Sequence, residues 1–126
     1  MNFSEAVRSV LNKYATFDGR ARRAEYWYFV LLSFILSIAT QVIGVAGRNA
    51  GLITVLLLGV LALVSLALVI PGIAVSVRRL HDTGRSGWFL LLALIPIVGS
   101  ILLLVWTCSR GTEGPNRFGD DPVAVA

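Results

Sequence analysis

The sequence predicts an all-α polytopic membrane protein: an N-terminal amphipathic interfacial helix plus three transmembrane helices, in one membrane domain over residues 1–126. Three observations predict it. The 126 residues are 56% hydrophobic and only 14% charged, whereas soluble domains carry about 25% charged side chains. A chain this short has no interior large enough to hide that much apolar surface. Three stretches, 26–46, 52–77 and 88–108, hold no charged residue over 21, 26 and 21 positions, and about 20 apolar residues cross about 30 Å of hydrocarbon.

The first element is the interfacial helix, residues 2–17. Phe3, Val7, Val10, Leu11 and Tyr14 recur at spacings of three and four, so one face is apolar. Glu5, Arg8, Ser9, Asn12 and Lys13 occupy the other face. Asn2 followed three residues later by Glu5 fits a capping box. Such a helix lies at the membrane surface or packs on the bundle, and Asp18-Gly19 then marks a turn.

The first membrane helix is placed at 26–47. The charged run Arg20 to Glu25 precedes it, and Tyr26, Trp27 and Tyr28 open it as interfacial anchors. Gly47, Arg48, Asn49 and Gly51 end it in a short turn. The second helix, 52–77, would be about 39 Å long, so it tilts or extends beyond the hydrocarbon. Pro71-Gly72 near its end predicts a kink. After the polar connector 78–87, Trp88 anchors a third helix, 88–108, kinked by Pro96 and Gly99. Residues 109–126 form a glycine-rich loop and tail.

Positive residues collect on the cytoplasmic side. With three crossings, Arg8, Lys13, Arg20, Arg22, Arg23, Arg78, Arg79 and Arg85 share one side, against Arg48, Arg110 and Arg117 on the other. That puts the N-terminus inside and the C-terminus outside. If the third segment re-enters at Pro96 and Gly99, every positive residue but Arg48 falls inside. The charge rule prefers the second arrangement. Segment length and the cost of broken backbone hydrogen bonds in lipid favour the first, which is the reading adopted.

Composition excludes several function classes. One cysteine, Cys108, rules out an internal disulfide and a cysteine-based zinc cluster. The N-terminus does not read as a cleaved signal peptide. No Asp, Glu, Lys, Arg or His lies within the three stretches, which argues against a transporter acting as a monomer. The net charge of +4 is concentrated at membrane boundaries, so lipid rather than nucleic acid is the expected partner. No cofactor or metal site is expected: Asp120 and Asp121 lack further spaced ligands, and the glycine-rich end lacks the Gly-Lys-Ser/Thr of a phosphate loop.

Three polar clusters remain. Arg20, Arg22 and Arg23 with Arg78, Arg79 and Arg85 converge on one face and are the candidates for binding anionic headgroups or a partner, because the guanidinium fork suits phosphate. His81 beside Asp82 is a weak candidate for acid–base catalysis, since adjacent helical residues do not face one another. Glu25, His81, Asp82, Asn116, Arg117 and Asp121 are expected to form a structural polar network.

The stretches YATFDGRARRAEYW, RRLHDTGRSGW and GTEGPNRFGDDP, in that order, resemble the bacterial inner-membrane family called domain of unknown function 805. The resemblance spans about residues 2–122. It implies a small bacterial inner-membrane protein and brings no mechanism. On it, the motif positions include Gly19, Arg20, Glu25, Trp27, Arg79, His81, Asp82, Gly87, Trp88, Gly111, Gly114, Asn116 and Asp121. The function expected is a non-enzymatic membrane module binding anionic phospholipid or a partner protein. The alternatives are a small channel or transporter built by homo-oligomerisation, and an enzyme acting on a lipid headgroup or polyprenyl phosphate.

Overall fold

The computed structural model describes residues 1–125. Its elements are α1 (Phe3–Asn12), α2 (Arg23–Ala46), α3 (Leu52–Ala67), α4 (Val69–Asp82), a 3-10 helix (Gly87–Leu94), α5 (Val98–Cys108) and a last turn, α6 (Pro122–Val125). No strand occurs among the described residues. α2 and the α3–α4 pair are long and apolar enough to cross a membrane; α5 is apolar but shorter.

Helix α1 begins where its capping box predicts. Asn2 Oδ1 accepts from the Glu5 amide at 2.9 Å, and Asn2 Nδ2 donates to Glu5 Oε1 at 3.4 Å. The helix ends at Asn12, earlier than the expected segment boundary at 17, in turns closed by Lys13 and Thr16 amides. Ala6 and Val10 are fully buried. Phe3 meets Tyr28 edge-on at 6.0 Å, so α1 packs along α2.

α2 starts three residues ahead of its apolar run, with Glu25 in its first turn, where a carboxylate complements the helix dipole. Ser33 and Thr40 on α2 and Ser76 on α4 return their hydroxyls to carbonyls four residues earlier. Polar side chains inside apolar helices are satisfied this way without a partner helix. Thr54 Oγ1 donates to Gly47 O and closes the turn into α3.

α3 and α4 form one long rod that breaks locally at Leu68. Pro71 has no N–H, so Ala67 O loses its helical partner. The Tyr14 hydroxyl donates to that carbonyl at 2.5 Å. A residue from the loop after α1 thus satisfies a backbone group that apolar surroundings would leave bare.

The third segment departs from expectation. Residues 88–108 do not form one kinked helix. The 3-10 helix runs to Leu94 and the chain reverses through residues 95–97 before α5. Pro96 interrupts helical bonding, and Ile97 holds φ +67° while the Val98 amide reaches back to Pro96 O at 2.7 Å, a strained γ-turn geometry. Gly99 lets the two arms touch: a Cβ there would lie 1.6 Å from Leu92 O. Both ends of the hairpin sit at the same end of the bundle. At one, Gly87 lies against Val77, where an added Cβ would be 2.6 Å from Cγ1. At the other, Arg79 Nε donates to Thr107 O at 3.0 Å.

Two substitutions test the proline account. Tyr14→Phe leaves Ala67 O without a donor and lowers stability by about 1–2 kcal/mol. Added to Pro71→Ala, which restores the helical N–H, the same change costs far less. Thermal unfolding of the four proteins in detergent gives the coupling; equal costs in both backgrounds would refute it.

Candidate functional site

The last turn of α4 carries Arg78, Arg79, His81 and Asp82, and it meets three other chain segments. The loop before α2 crosses it, pinned by the Ala21 amide on Arg78 O at 2.9 Å. The end of α5 abuts it, and the C-terminal loop covers it through the Thr112 amide on Asp82 O at 2.7 Å. Gly111 permits that cover: a Cβ there would stand 2.0 Å from Asp82 Oδ2.

Three guanidinium groups and two carboxylates fill the junction. Asp82 Oδ1 accepts from Arg20 Nε at 2.9 Å, and Oδ2 accepts from Arg79 Nη1. Glu25 Oε1 accepts from Arg78 Nη1 at 2.6 Å and from the Ser9 hydroxyl at 3.1 Å. The remaining donors go mostly to main-chain carbonyls. Arg20 reaches Thr112 O at 2.5 Å, Gly114 O at 2.7 Å, and Gly119 O and Asp82 O at longer range. Arg79 reaches Thr107 O, Ala21 O and Ser109 O. Arg78 Nε holds Thr16 O at 3.1 Å, while its Nη2 is buried without a hydrogen-bond partner among the described residues.

Three positive charges against two negative leave a surplus of one. The acceptors that offset it are carbonyls at the end of α5, where a helix presents its unpaired oxygens and the negative end of its dipole. Trp27 Nε1 joins Arg79 on Thr107 O at 3.2 Å.

This geometry corrects the sequence expectation. Arg20, Arg78 and Arg79 were expected to face headgroups. They are 6%, 1% and 0% exposed, and their donors are largely consumed inside the protein. Arg85 lies 4.6 Å over the Trp106 ring. Arg22 is half-buried and Arg23 exposed, with one Arg23 bond to Cys108 O at 3.3 Å. The His81 and Asp82 side chains do not bond each other and have separate partners. His81 Nδ1 bonds Gly19 O at 2.9 Å and its ring stacks on Phe118 at 4.0 Å, while Asp82 answers the two arginines.

Of the residues expected to form a polar network, Glu25 and Asp82 pair with different arginines, and Asn116 contacts the His81 backbone. Asn116 Nδ2 donates to His81 O at 3.0 Å, and its Oδ1 accepts from the Phe118 amide. Asp121 accepts from the Gly114 amide at 3.1 Å. Among the described residues Arg117 makes no carboxylate pair; its guanidinium lies 4.6 Å over Phe118. Of the interfacial anchors, Tyr26 packs on Trp27 at 5.1 Å and Tyr28 on Phe3, while Trp88 is 79% exposed. Sequence reasoning missed Ser9, Thr107, Trp106 and Phe118 as partners. Ser9 carried a signal in its place on the polar face of α1, and Phe118 in its place within GTEGPNRFGDDP. Among the described residues, no group of three or more His, Cys, Asp or Glu side chains could hold a metal ion.

The family described as "Protein of unknown function (DUF805)" matches residues 14–120, and so covers the whole junction. The chain belongs to the DUF805 family. It is 44% identical to "Inner membrane protein YhaI" of Escherichia coli (strain K12) over 115 residues, covering 90% of this chain and 92% of that protein. It is 46% identical over 117 residues to "Inner membrane protein YhaH" of the same organism, with the same coverage. "Uncharacterized protein YiiR" of that organism is 29% identical over 131 residues. No solved structure matches this DUF805 chain. Its apolar helices agree with the inner-membrane names of its relatives.

The junction in this DUF805 protein is structural first. Removing one partner of a buried ion pair costs about 3–5 kcal/mol because the other charge stays buried. Asp82→Asn should therefore lower the thermal midpoint in detergent sharply or prevent accumulation. Arg110→Gln breaks the exposed Arg110–Glu113 pair and should change stability by less than about 1 kcal/mol. Comparable losses in the two variants would contradict the assignment.

Proposed function

We propose that this chain is a non-enzymatic inner-membrane module with two crossings, a half-depth hairpin and both termini in the cytoplasm, which engages anionic phospholipid through arginines at the rim of the buried junction. The observation that carries the reading is the division of the cations. Arg20, Arg78 and Arg79 are consumed internally, which leaves Arg22 and Arg23, with Arg8 and Lys13 nearby in sequence, to meet headgroups.

The topology is supported by lengths and charge. The 3-10 helix of eight residues and α5 of eleven each rise about 16 Å, half of a hydrocarbon layer of about 30 Å. A hairpin of that depth returns the chain to its starting side. Ten of the eleven positive residues then share one side, and Arg48 alone lies on the other, as the positive-inside rule asks.

A second reading, assembly of copies, is favoured by one observation. The hairpin tip is open, with Leu94 80% and Ile97 74% exposed. Irregular backbone at membrane depth is tolerated when protein or water covers it, and a second copy is one such cover. The enzyme reading loses its motive, because His81 and Asp82 serve separate partners.

Two measurements test the main reading. Cys108 is exposed at the end of α5, so an impermeant thiol reagent should label it in inverted membrane vesicles and not in right-side-out ones. Three crossings demand the opposite. Each positive residue near the surface is worth about 1 kcal/mol toward anionic lipid, so Arg22→Gln with Arg23→Gln should reduce retained anionic lipid about thirtyfold in mass analysis of the purified protein. Unchanged retention would overturn the binding role.

A further inference from the structure

A groove of about 630 Å³ runs between α4 and the 3-10 helix, within the range of ligand sites. It is separate from the arginine junction, although His81 borders both. Ile73, Val77 and His81 are spaced by four residues, so one stripe of α4 forms its wall, and Leu91 of the 3-10 helix lies among the residues opposite. From Ile73 to His81 the wall rises about 12 Å, passing from purely apolar to polar. Asp18, His81 and Ser86 line the polar end.

The polar end is rich in acceptors. Asp18 is exposed and, among the described residues, has no ion-pair or hydrogen-bond partner. Gly19 O can only accept, so the His81 hydrogen sits on Nδ1 in the neutral ring, and Nε2 remains as an acceptor. Ser86 Oγ accepts from the Trp88 amide at 3.3 Å and keeps its own hydrogen to give. A negative, acceptor-bearing mouth above an apolar channel suits an amphiphile whose head carries a cation with N–H donors.

We propose that this groove binds one acyl chain of an ethanolamine phospholipid, with the primary ammonium at Asp18 and His81. A phosphate-only head would meet the Asp18 carboxylate with like charge. A quaternary ammonium offers the charge and no donor. The site is independent of the arginine rim, and the two can fail separately.

The test reconstitutes the full chain in vesicles of equal parts ethanolamine, choline and glycerol phospholipids with identical tails. Lipid retained on mild extraction is then quantified by mass spectrometry. The wild type should be enriched in ethanolamine over choline lipid about fivefold, the value of one net hydrogen bond of about 1 kcal/mol that the quaternary head cannot make. Asp18→Asn should bring that ratio close to one. Ala93→Phe, at an exposed position lining the groove, should remove the bound lipid, while Arg22→Gln should leave the ethanolamine ratio intact. Equal retention of ethanolamine and choline lipids by the wild type, or enrichment that survives both Asp18→Asn and Ala93→Phe, would overturn the site.

Discussion

One carboxylate, Asp82, sits between two guanidinium groups, and the arrangement of this end of the bundle follows from it. Arg20 arrives from the loop before α2 and Arg79 from the turn of α4 just before Asp82. Each arginine then reaches onward to carbonyls of a third segment, Arg20 to the C-terminal loop and Arg79 to the end of α5. A buried ion pair is weak as a source of net stability, since desolvation offsets much of its attraction. Its force here is geometric. A guanidinium has five N–H donors in a rigid fork, and only a narrow set of chain paths satisfies them together. The pair therefore selects one path for four segments distant in sequence.

The hairpin is a consequence of that selection. Thr107 O and Ser109 O belong to the end of α5, where helical carbonyls lack partners of their own. Arg79 takes both, so the end of α5 is held beside the end of α4. A segment that begins at Gly87 and must finish beside Arg79 cannot run to the far end of the bundle. It has to turn, and it turns where Pro96 already forbids continuous helix. The strain at Ile97, of order 1–3 kcal/mol for a disfavoured backbone region, persists because both arms are anchored. Gly99 removes the steric obstacle by admitting Leu92 O.

Much of this was legible in the sequence, and the remainder was hidden for definite reasons. The cap at Asn2 and the long helical stretch over 52–77 follow from spacing and charge alone, whereas α2 starts at Arg23 rather than Tyr26 and α4 runs on to Asp82 through residues read as a polar connector. The fate of the arginines did not. RARRAE and RRLHD read equally well as headgroup ligands or as buried partners, because the acceptors that decide the matter are main-chain carbonyls of Thr112, Gly114 and Thr107. Every residue has a carbonyl, so no residue type announces one. The third segment misled through its length, since 21 uncharged residues fit a single crossing. The opposing signal was present in the clustering of all positive residues but Arg48, and helix length outweighed it. Pro71 predicted a kink, yet nothing in the sequence named Tyr14 as the donor to the carbonyl it frees.

The same division between buried and free polar groups bears on function. Had Arg20, Arg78 and Arg79 been exposed, this face would be predominantly cationic and would attract any anionic surface with little discrimination. With those charges neutralised, the face is mixed. Arg22 and Arg23 lie at the start of α2, whereas Asp18 and the His81 ring border the groove at the 3-10 helix. On the proposed reading, cationic and acceptor-bearing sites on one rim would distinguish phospholipids by head chemistry rather than by net charge. If both sites bind as proposed, the arginines that fix the chain path are also the ones whose exposure would erase the contrast between the two sites.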